Sequence, residues 1–139
     1  MIHVADLMTK EVFTLRRTDT LRDARSLMDL ANIRHIPVLD DPWRFAGLIT
    51  QRDLLAYAIS KLAEVEADVQ TEIESSIIVG DIMQTNIDTV APGTLLTEAA
   101  GLMYRKKYGC LPVIEDDRLV GIVTESDFLR LAIALLGMR

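Results

Sequence analysis

Two threonine–aspartate pairs carry the residue types in this sequence that are best suited to binding chemistry. Thr50 precedes Asp53 by three residues, and Thr124 precedes Asp127 by the same distance, in two copies of the motif Gly-apolar-apolar-Thr-x-x-Asp. A threonine hydroxyl can donate to a phosphate or ribose oxygen, and an ionised aspartate can accept hydrogen bonds from two vicinal hydroxyls at once. Each motif is predicted to end a strand and open a helix, where backbone N–H groups and the helix dipole favour a phosphate.

The same pairs have a second, purely structural interpretation. A threonine followed three residues later by an acid resembles a capping box, in which two side chains and two backbone N–H groups satisfy each other at a helix start. Glu is the usual acid in that motif, and Asp is a weaker form of it. The spacing alone therefore leaves both roles open, a ligand site or a helix cap.

The motif occurs twice because most of the chain is a repeat. Matching residues are 75 positions apart, and the spacing drops to 74 after the Asp41/Asp116 pair, where Pro42-Trp43 faces Asp117 alone. A repeat of this length usually means two copies of one folding unit, and two such copies give paired, quasi-symmetric sites. The matched pairs include Val4/Val79, Met8/Met83, Leu21/Leu96, Met28/Met103, Pro37/Pro112, Gly47/Gly121 and Leu55/Leu129.

Each repeat predicts the element order strand, helix, strand, strand, helix, and the whole therefore predicts an α/β (α+β) fold. Apolar residues at helical spacing mark the first helix of each repeat. Asp19 or Thr20 is the expected cap of one, and Thr94 of the other. The last helices are expected to start near Asp53 and Asp127. The predicted strands span residues 12–15, 36–40 and 45–50 in the first repeat, and residues 87–90, 111–115 and 119–124 in the second.

The repeats divide the chain into residues 1–59, a helical linker over residues 60–78, and residues 79–139. The linker has one apolar stripe (Leu62, Val65, Val69 and Ile73), and its acids, among them Glu72 and Glu74, are predicted to face water. The stripe has two interpretations, a connector that packs on the domain or a contact with a second copy or partner.

Composition excludes some function classes. The chain has 139 residues, half of them hydrophobic, and a net charge of -6. That charge argues against a nucleic-acid surface, because phosphate backbones require a basic footprint. The longest apolar stretch is too short to span a bilayer, and no secretory signal is visible. A single cysteine, Cys110, favours a reducing, cytoplasmic location.

Enzyme chemistry is not expected. The sequence has no Walker loop and no Ser/His/Asp or Cys/His/Asp set. His3 and His35 have no neighbours at metal-ligand spacing, so a metal site is not expected either. Cys110 is interpreted as a small buried or pocket-lining residue rather than a nucleophile.

The complete pattern resembles a tandem pair of CBS domains, a nucleotide-sensing regulatory module also called a Bateman module. The resemblance rests on Asp-Leu-Met at 6–8 and Asp-Ile-Met at 81–83, on His35-Ile36-Pro37-Val38 and Cys110-Leu111-Pro112-Val113, and on the two Gly-x-x-Thr-x-x-Asp motifs. It covers nearly the whole chain. It implies a pseudo-two-fold pair with two clefts between the repeats, which in this family commonly hold AMP, ADP, ATP, S-adenosylmethionine or related adenosyl ligands.

The resemblance also implies a role for each matching residue. Asp53 and Asp127 would hold ribose hydroxyls, while Thr50 and Thr124 would contact ribose or phosphate. Two segments would line the base pocket, and two apolar residues would pack on the base. The segments are Ile33-Arg34-His35 and Tyr108-Gly109-Cys110, and the apolar residues are Leu48 and Ile122.

Local charge predicts that the two sites differ. The first repeat has Gln51-Arg52 within its motif and Arg16-Arg17 after its first strand. The second repeat has Glu125-Ser126 and Ala91-Pro92-Gly93 at those places. A phosphate is therefore predicted to favour the site of Thr50 and Asp53. The helices carry more apolar residues than one small sandwich can hide, so a homodimer is expected, with a separate effector protein to receive the signal. The alternative function is a ligand-free structural dimerisation or interaction domain.

Overall fold

The structure is a computed structural model that describes residues 1–41, 43–61 and 67–137. Its contacts divide the chain into two compact units. One unit contains Phe13–Ile87, and the other contains Met1–Val12 together with Asp88–Arg139. The mixture of helices and strands in each unit agrees with the predicted α+β class.

The Phe13–Ile87 unit contains three paired strands. β1 runs parallel to β2, and β2 runs antiparallel to β3. Helices α2, α3 and α4 and a short 3-10 turn complete the unit. The bounds are β1 Leu15–Arg16, α2 Leu21–Ala31, β2 His35–Asp40, β3 Arg44–Thr50, α3 Gln51–Lys61, α4 Ala67–Ser76 and the 3-10 turn Val79–Asp81.

Helix α2 forms where its apolar spacing predicts it. Leu21, Ala24 and Met28 are buried on one face of α2 and join the core of this unit. The Thr20 side chain accepts a hydrogen bond from the Asp23 N–H, which confirms Thr20 as the cap. The helix ends at Asn32, whose left-handed conformation (φ 54°) is one that Asn tolerates better than most residues.

The second unit is built in the same way from α1, α5, β4, β5 and α6. β4 and β5 form an antiparallel pair. The bounds are α1 Val4–Leu7, α5 Leu96–Lys106, β4 Cys110–Glu115, β5 Arg118–Thr124 and α6 Glu125–Gly137. The strand predicted over residues 87–90 is reduced to one bridge between Val90 and Val113.

The predicted cap at Thr94 is wrong. Helix α5 begins after Leu95, which has no side-chain cap hydrogen bond. The Thr94 hydroxyl instead accepts a hydrogen bond from the Ala91 N–H at 3.1 Å. The hydroxyl therefore stabilises the turn before the helix, a use of Thr that competes with capping.

The two repeats exchange their leading segments. We define these segments as residues 3–9 of the first repeat and residues 78–84 of the second. Val79 and Met83 lie in the core formed by the rest of the first repeat. Val4 lies in the core formed by the rest of the second. Because of this exchange, the compact units do not follow the repeat boundaries of the sequence.

Each leading segment passes directly over a glycine of the neighbouring strand. A Cβ at Gly47 would lie 2.7 Å from both the Gln84 carbonyl oxygen and Met83 Sδ. A Cβ at Gly121 would lie 2.7 Å from Met8 Sδ and 3.0 Å from the Thr9 carbonyl oxygen. The glycine of the motif therefore permits a close approach of backbone.

Helix α4 is tied to α2 by an ion pair that the sequence interpretation missed. Glu74, predicted to face water, is only 5% exposed. It accepts two hydrogen bonds from the Arg25 guanidinium, at 2.6 and 3.1 Å. A buried carboxylate requires such a partner, and Arg25 of α2 neutralises the charge of Glu74. The prediction that Glu74 faces water is therefore wrong. Leu62 and Val65 of the proposed stripe lie outside the described residues.

Candidate functional site

The Thr50–Asp53 turn closes the start of α3 by reciprocal hydrogen bonds. The Thr50 N–H donates to Asp53 Oδ2 at 2.9 Å, and the Asp53 N–H donates to Thr50 Oγ1 at 3.1 Å. At the start of α6 the corresponding distances for Thr124 and Asp127 are 2.9 and 3.4 Å. Both turns are capping boxes. The structural interpretation of the two pairs is thus confirmed, and it occupies one oxygen of each carboxylate.

The second oxygen of Asp53 contacts the leading segment in its unit. Asp53 Oδ1 accepts a hydrogen bond of 2.8 Å from the Gln84 side-chain amide. Gln84 is exposed and Asp53 is half-buried. Oδ1 is therefore held by a neutral donor at the surface, which water or a ligand hydroxyl can replace.

The second oxygen of Asp127 is more strongly bound. Asp127 Oδ1 accepts a hydrogen bond of 3.0 Å from Thr9 Oγ1 and also pairs with the Arg130 guanidinium, one turn further along α6. Asp127 is only 1% exposed. The two carboxylates have equivalent positions in the repeats but different surroundings.

The segments predicted to line a base pocket lie beside these turns. In the strand register, His35 faces Thr50 and Cys110 faces Thr124. The carbonyl oxygen of Arg34 accepts a hydrogen bond from the Gln51 N–H at 2.9 Å. Each unit thus brings its predicted base segment and its threonine–aspartate pair into one place.

The equivalent backbone contact in the other unit joins the Gly109 carbonyl oxygen to the Glu125 N–H at 3.2 Å. These contacts, with the capping boxes, use several N–H groups at the start of each helix. At α3 they are the N–H groups of Thr50, Gln51 and Asp53. A phosphate at this position would therefore meet fewer free backbone donors than a bare helix end offers.

Leu48 and Ile122 lie two residues before the threonines, on the same face of their strands. Both side chains are buried. Their backbones pair with the leading segments, Leu48 with Gln84 and Ile122 with Thr9. Each of these two buried residues therefore lies beside the leading segment of its unit.

Tyr108 is held by a cluster that only the second repeat contains. Its hydroxyl donates to Asp88 Oδ2 at 2.7 Å, and Lys106 Nζ lies 3.1 Å from the same oxygen. The hydrogen bond to Asp88 raises the pKa of Tyr108 above its usual value. The hydrogen bonds from Tyr108 and then Lys106 lower the pKa of Asp88, and the bond to Asp88 raises the pKa of Lys106. Phe13 and Ile33 stand at the positions of Asp88 and Tyr108 in the first repeat.

The remaining predicted lining residues differ in exposure. Ile33 packs against the core, Arg34 is exposed, and His35 and Gly109 are half-buried. Cys110 is buried, and burial raises the pKa of its thiol to about 12. The thiol is therefore protonated at neutral pH, which agrees with a packing role and disfavours a nucleophile.

The predicted excess of positive charge near Asp53 is smaller than the sequence suggests. Arg17 Nε lies 2.5 Å from Asp40 Oδ1, so this guanidinium is neutralised within its own unit. Arg16 and Arg52 are exposed. Arg16 also lines a cavity of about 340 Å³, together with Thr14, Leu15, Asp19, Leu39, Asp40, Asp41 and Trp43. This cavity lies at the β2–β3 turn and contains none of the predicted site residues.

Sequence reasoning missed four polar residues that complete the two sites: Thr9, Gln84, Asp88 and Arg130. Thr9 and Gln84 occupy the same position in the repeats, directly after Met8 and Met83. Their equivalent positions in the two repeats were the signal from which a role for both residues could have been predicted. Within the described part of the chain, no group of His, Cys, Asp and Glu is arranged to hold a metal ion. The described helices also include none with the length and apolarity needed to cross a bilayer.

Comparison with known proteins identifies the repeats. The family model described as CBS domain matches residues 4–60 and 79–134. A crystal structure of AcuB from Vibrio cholerae is 42% identical, with a TM-score of 0.83 over 98% of this chain and 93% of that one. CBSX2 from Arabidopsis thaliana in complex with AMP is 28% identical, with a TM-score of 0.81 over 98% of this chain and 99% of that one.

A third structure is the CBS domain pair of protein MJ0100 in complex with 5'-methylthioadenosine and S-adenosyl-L-methionine. It is 25% identical, with a TM-score of 0.79 over 97% of this chain and 98% of that one. The chain spans 42% and 64% of the length of the first two curated relatives that it matches, from Methanocaldococcus jannaschii and Arabidopsis thaliana. Some relatives are named as enzymes, among them a homoserine O-acetyltransferase of which the match covers 22%.

Proposed function

The chain belongs to the CBS domain family, and from this membership we propose that it is a regulatory module that binds an adenosine-containing ligand. The ligand class comprises AMP, ADP, ATP and S-adenosylmethionine. Two structural relatives support the class, since one is in complex with AMP and the other with 5'-methylthioadenosine and S-adenosyl-L-methionine. The shared part of these ligands is adenosine, so the proposal concerns the ribose and the base.

One observation carries the proposal. The capping box fixes Asp53 through Oδ2 alone, while Oδ1 accepts from the exposed amide of Gln84. A ribose hydroxyl can take the place of that amide, because both donate a hydrogen bond to the same oxygen and the amide returns to water. The cap then holds the carboxylate in place for the ligand, so one residue serves both roles.

The other residues receive roles by position. Thr50 and Thr124 would contact ribose or phosphate, and Asp127 would be the second ribose acceptor. The backbones and side chains of residues 33–35 and 108–110 would surround the base, which Leu48 and Ile122 support from beneath. A phosphate would favour the Asp53 site through the exposed side chain of Arg52, which lies within the motif.

We also propose that the chain forms a homodimer through α6. Leu129, Ile133 and Leu136 recur on one face of this helix, and all three are exposed, Ile133 at 70%. An exposed apolar stripe of this kind marks an interaction surface. A ligand that binds one dimer geometry better than another would then signal to a separate effector protein. Ile133→Glu should give monomers in sedimentation analysis, and an unchanged dimer would refute this interface.

A thermal-shift panel of AMP, ADP, ATP and S-adenosylmethionine tests the proposed ligand class. A ligand present at about 100 times its Kd should add about 2.7 kcal/mol to the free energy of unfolding. Asp53→Ala combined with Asp127→Ala should abolish the shift, because both proposed ribose acceptors are then lost. Arg22→Ala, on the exposed face of α2, is the matched control and should leave the shift unchanged.

A ligand-free dimerisation domain is the second candidate, and the two capping boxes favour it because they give Thr50, Asp53, Thr124 and Asp127 a purely structural use. It predicts no thermal shift with any adenosyl compound. Catalysis is not part of either proposal. Product analysis after incubation with ATP and Mg²⁺ would reveal a nucleotide hydrolase.

A further inference from the structure

The two aspartates differ in a residue that lies one turn beyond each of them. Arg130 follows Asp127 by three residues and pairs with its Oδ1. The same position after Asp53 is Ala56. Among the described residues, Asp53 Oδ1 has the neutral amide of Gln84 as its hydrogen-bond partner, whereas Asp127 Oδ1 has both Thr9 Oγ1 and a guanidinium.

We propose that Arg130 makes the two sites unequal by occupying the carboxylate oxygen that a ribose hydroxyl would need at Asp127. The chain then takes one adenosyl ligand, at Asp53. This inference rests on the proposed function, and it adds which of the two sites is used and which side chain decides it. Arg130 is thus a specificity-determining residue.

The chemistry of the pair explains the exclusion. The guanidinium brings a full positive charge to a buried carboxylate, which a neutral ribose hydroxyl cannot do, so the hydroxyl is a poor substitute for it. Asp127 is also nearly fully buried, at 1% exposure, so loss of Arg130 would leave a charge without its counter-ion. At Asp53 the ligand replaces only an amide, and the carboxylate is half-buried.

The Arg130 side chain is itself 69% exposed. A guanidinium that reaches in from the surface can be removed without opening the core. Arg130→Ala gives the Asp127 turn the residue that the Asp53 turn already has. Ala56→Arg places the same cation one turn beyond Asp53. Both positions are exposed in a helix, and Ala and Arg are good helix formers.

The experiment is isothermal titration calorimetry of the full chain with AMP and, in parallel, with S-adenosylmethionine. Wild type should bind one ligand per chain, and Asp53→Ala should remove this binding while Asp127→Ala leaves it. Arg130→Ala should gain a second site that depends on Asp127. Ala56→Arg should weaken the first site by about tenfold or more.

Two controls separate charge from shape and fold. Arg130→Gln removes the charge while keeping most of the side-chain length, and it should also gain the second site. Arg118→Ala removes an exposed arginine from the same unit and should leave one site. Melting curves of each variant verify folding, and Ala56→Arg tests the claim even if both Arg130 variants fail to fold.

Each result decides between the claims. Two sites of equal affinity in wild type, or one site that depends on Asp127 rather than Asp53, would overturn this inference and leave the proposed function standing. One site in Arg130→Ala and Arg130→Gln would also overturn it. No binding of either compound to any variant would instead overturn the proposed function, and this inference with it.

Discussion

Gln84 donates a hydrogen bond of 2.8 Å to Asp53, 31 residues earlier in the chain. The contact joins the leading segment of the second repeat to the motif of the first, within one compact unit. Asp53 thereby belongs to three structures at once: a helix cap, a contact between chain segments and a candidate ribose site. Substitutions at the partners of Asp53 can separate these three roles.

The capping threonines should contribute measurable stability. Thr50→Ala and Thr124→Ala each remove the acceptor of an aspartate N–H at a helix start. Each should lower the free energy of unfolding by about 1 kcal/mol, measured by urea denaturation. Thr50→Ser and Thr124→Ser keep the hydroxyl and should stay within about 0.5 kcal/mol of wild type. Alanine variants as stable as the serine variants would contradict the capping role.

The motif glycines should not tolerate a methyl group. In Gly47→Ala and Gly121→Ala the new Cβ would lie 2.7 Å from a methionine sulphur, and within 3.0 Å of a backbone carbonyl oxygen. The leading segment must then shift, at a cost of about 1–3 kcal/mol. Gly93→Ala is the control, because a Cβ there has no neighbour within 4 Å. Equal midpoints for all three variants in urea would show that the leading segments are not packed on these strands.

The Arg25–Glu74 pair should hold α4 to α2. Arg25→Ala leaves the carboxylate of Glu74 buried without its partner, and should cost about 1–3 kcal/mol. The value stays below that of a fully buried pair because the Arg25 side chain is 44% exposed. Arg25→Ala combined with Glu74→Ala should recover part of the loss. Additive single effects in this cycle would contradict a direct interaction.

Tyr108 should ionise at a higher pH than a free tyrosine. Its pKa is raised because the hydroxyl donates to Asp88, so this bond contributes stability below about pH 10 and loses it as the pH rises through the folded pKa. The pKa of Asp88 is lowered, so its contribution is present above its unfolded pKa and is lost as the pH falls through the folded value. Tyrosinate absorbance during a pH titration measures the first effect.

Two variants test whether the observed titration belongs to Tyr108 in its cluster with Asp88 and Lys106. Asp88→Asn removes the ionised acceptor and should move the Tyr108 transition to lower pH. Tyr108→Phe should delete that transition. A wild-type curve that matches the curve of Asp88→Asn would show that the hydroxyl is not bonded to Asp88 in solution.

Local patterns in the sequence predicted most of the secondary structure. The apolar spacing of Leu21, Ala24 and Met28 located α2, and Asp19 or Thr20 marked its start to within one residue, because these signals depend on neighbours within one helical turn. The predicted strands of both hairpins agree with β2 to β5 within one residue at each end. Such features are set locally and are therefore readable from one sequence.

Contacts between segments that are far apart in the chain could not be predicted from such local patterns. Glu74 has the composition of a solvent-facing helix residue, and only the position of Arg25, 49 residues earlier, makes it a buried partner. The exchange of the leading segments likewise leaves no local signal, because Val4 and Val79 are apolar residues that fit either core. The motif indicated Asp53 and Asp127 as equivalent, and only the surrounding side chains of Gln84, Thr9 and Arg130 distinguish them.

The central claim is that the Asp53 carboxylate binds the ribose of an adenosyl ligand. Calorimetry with AMP and with its 2',3'-dideoxy analogue, on wild type and on Asp53→Ala, tests it most directly. In wild type the analogue should bind roughly 10- to 100-fold more weakly than AMP, because a hydrogen bond to a charged group is lost. In Asp53→Ala the two compounds should bind equally weakly. Equal affinity of the two compounds for wild type would contradict the claim.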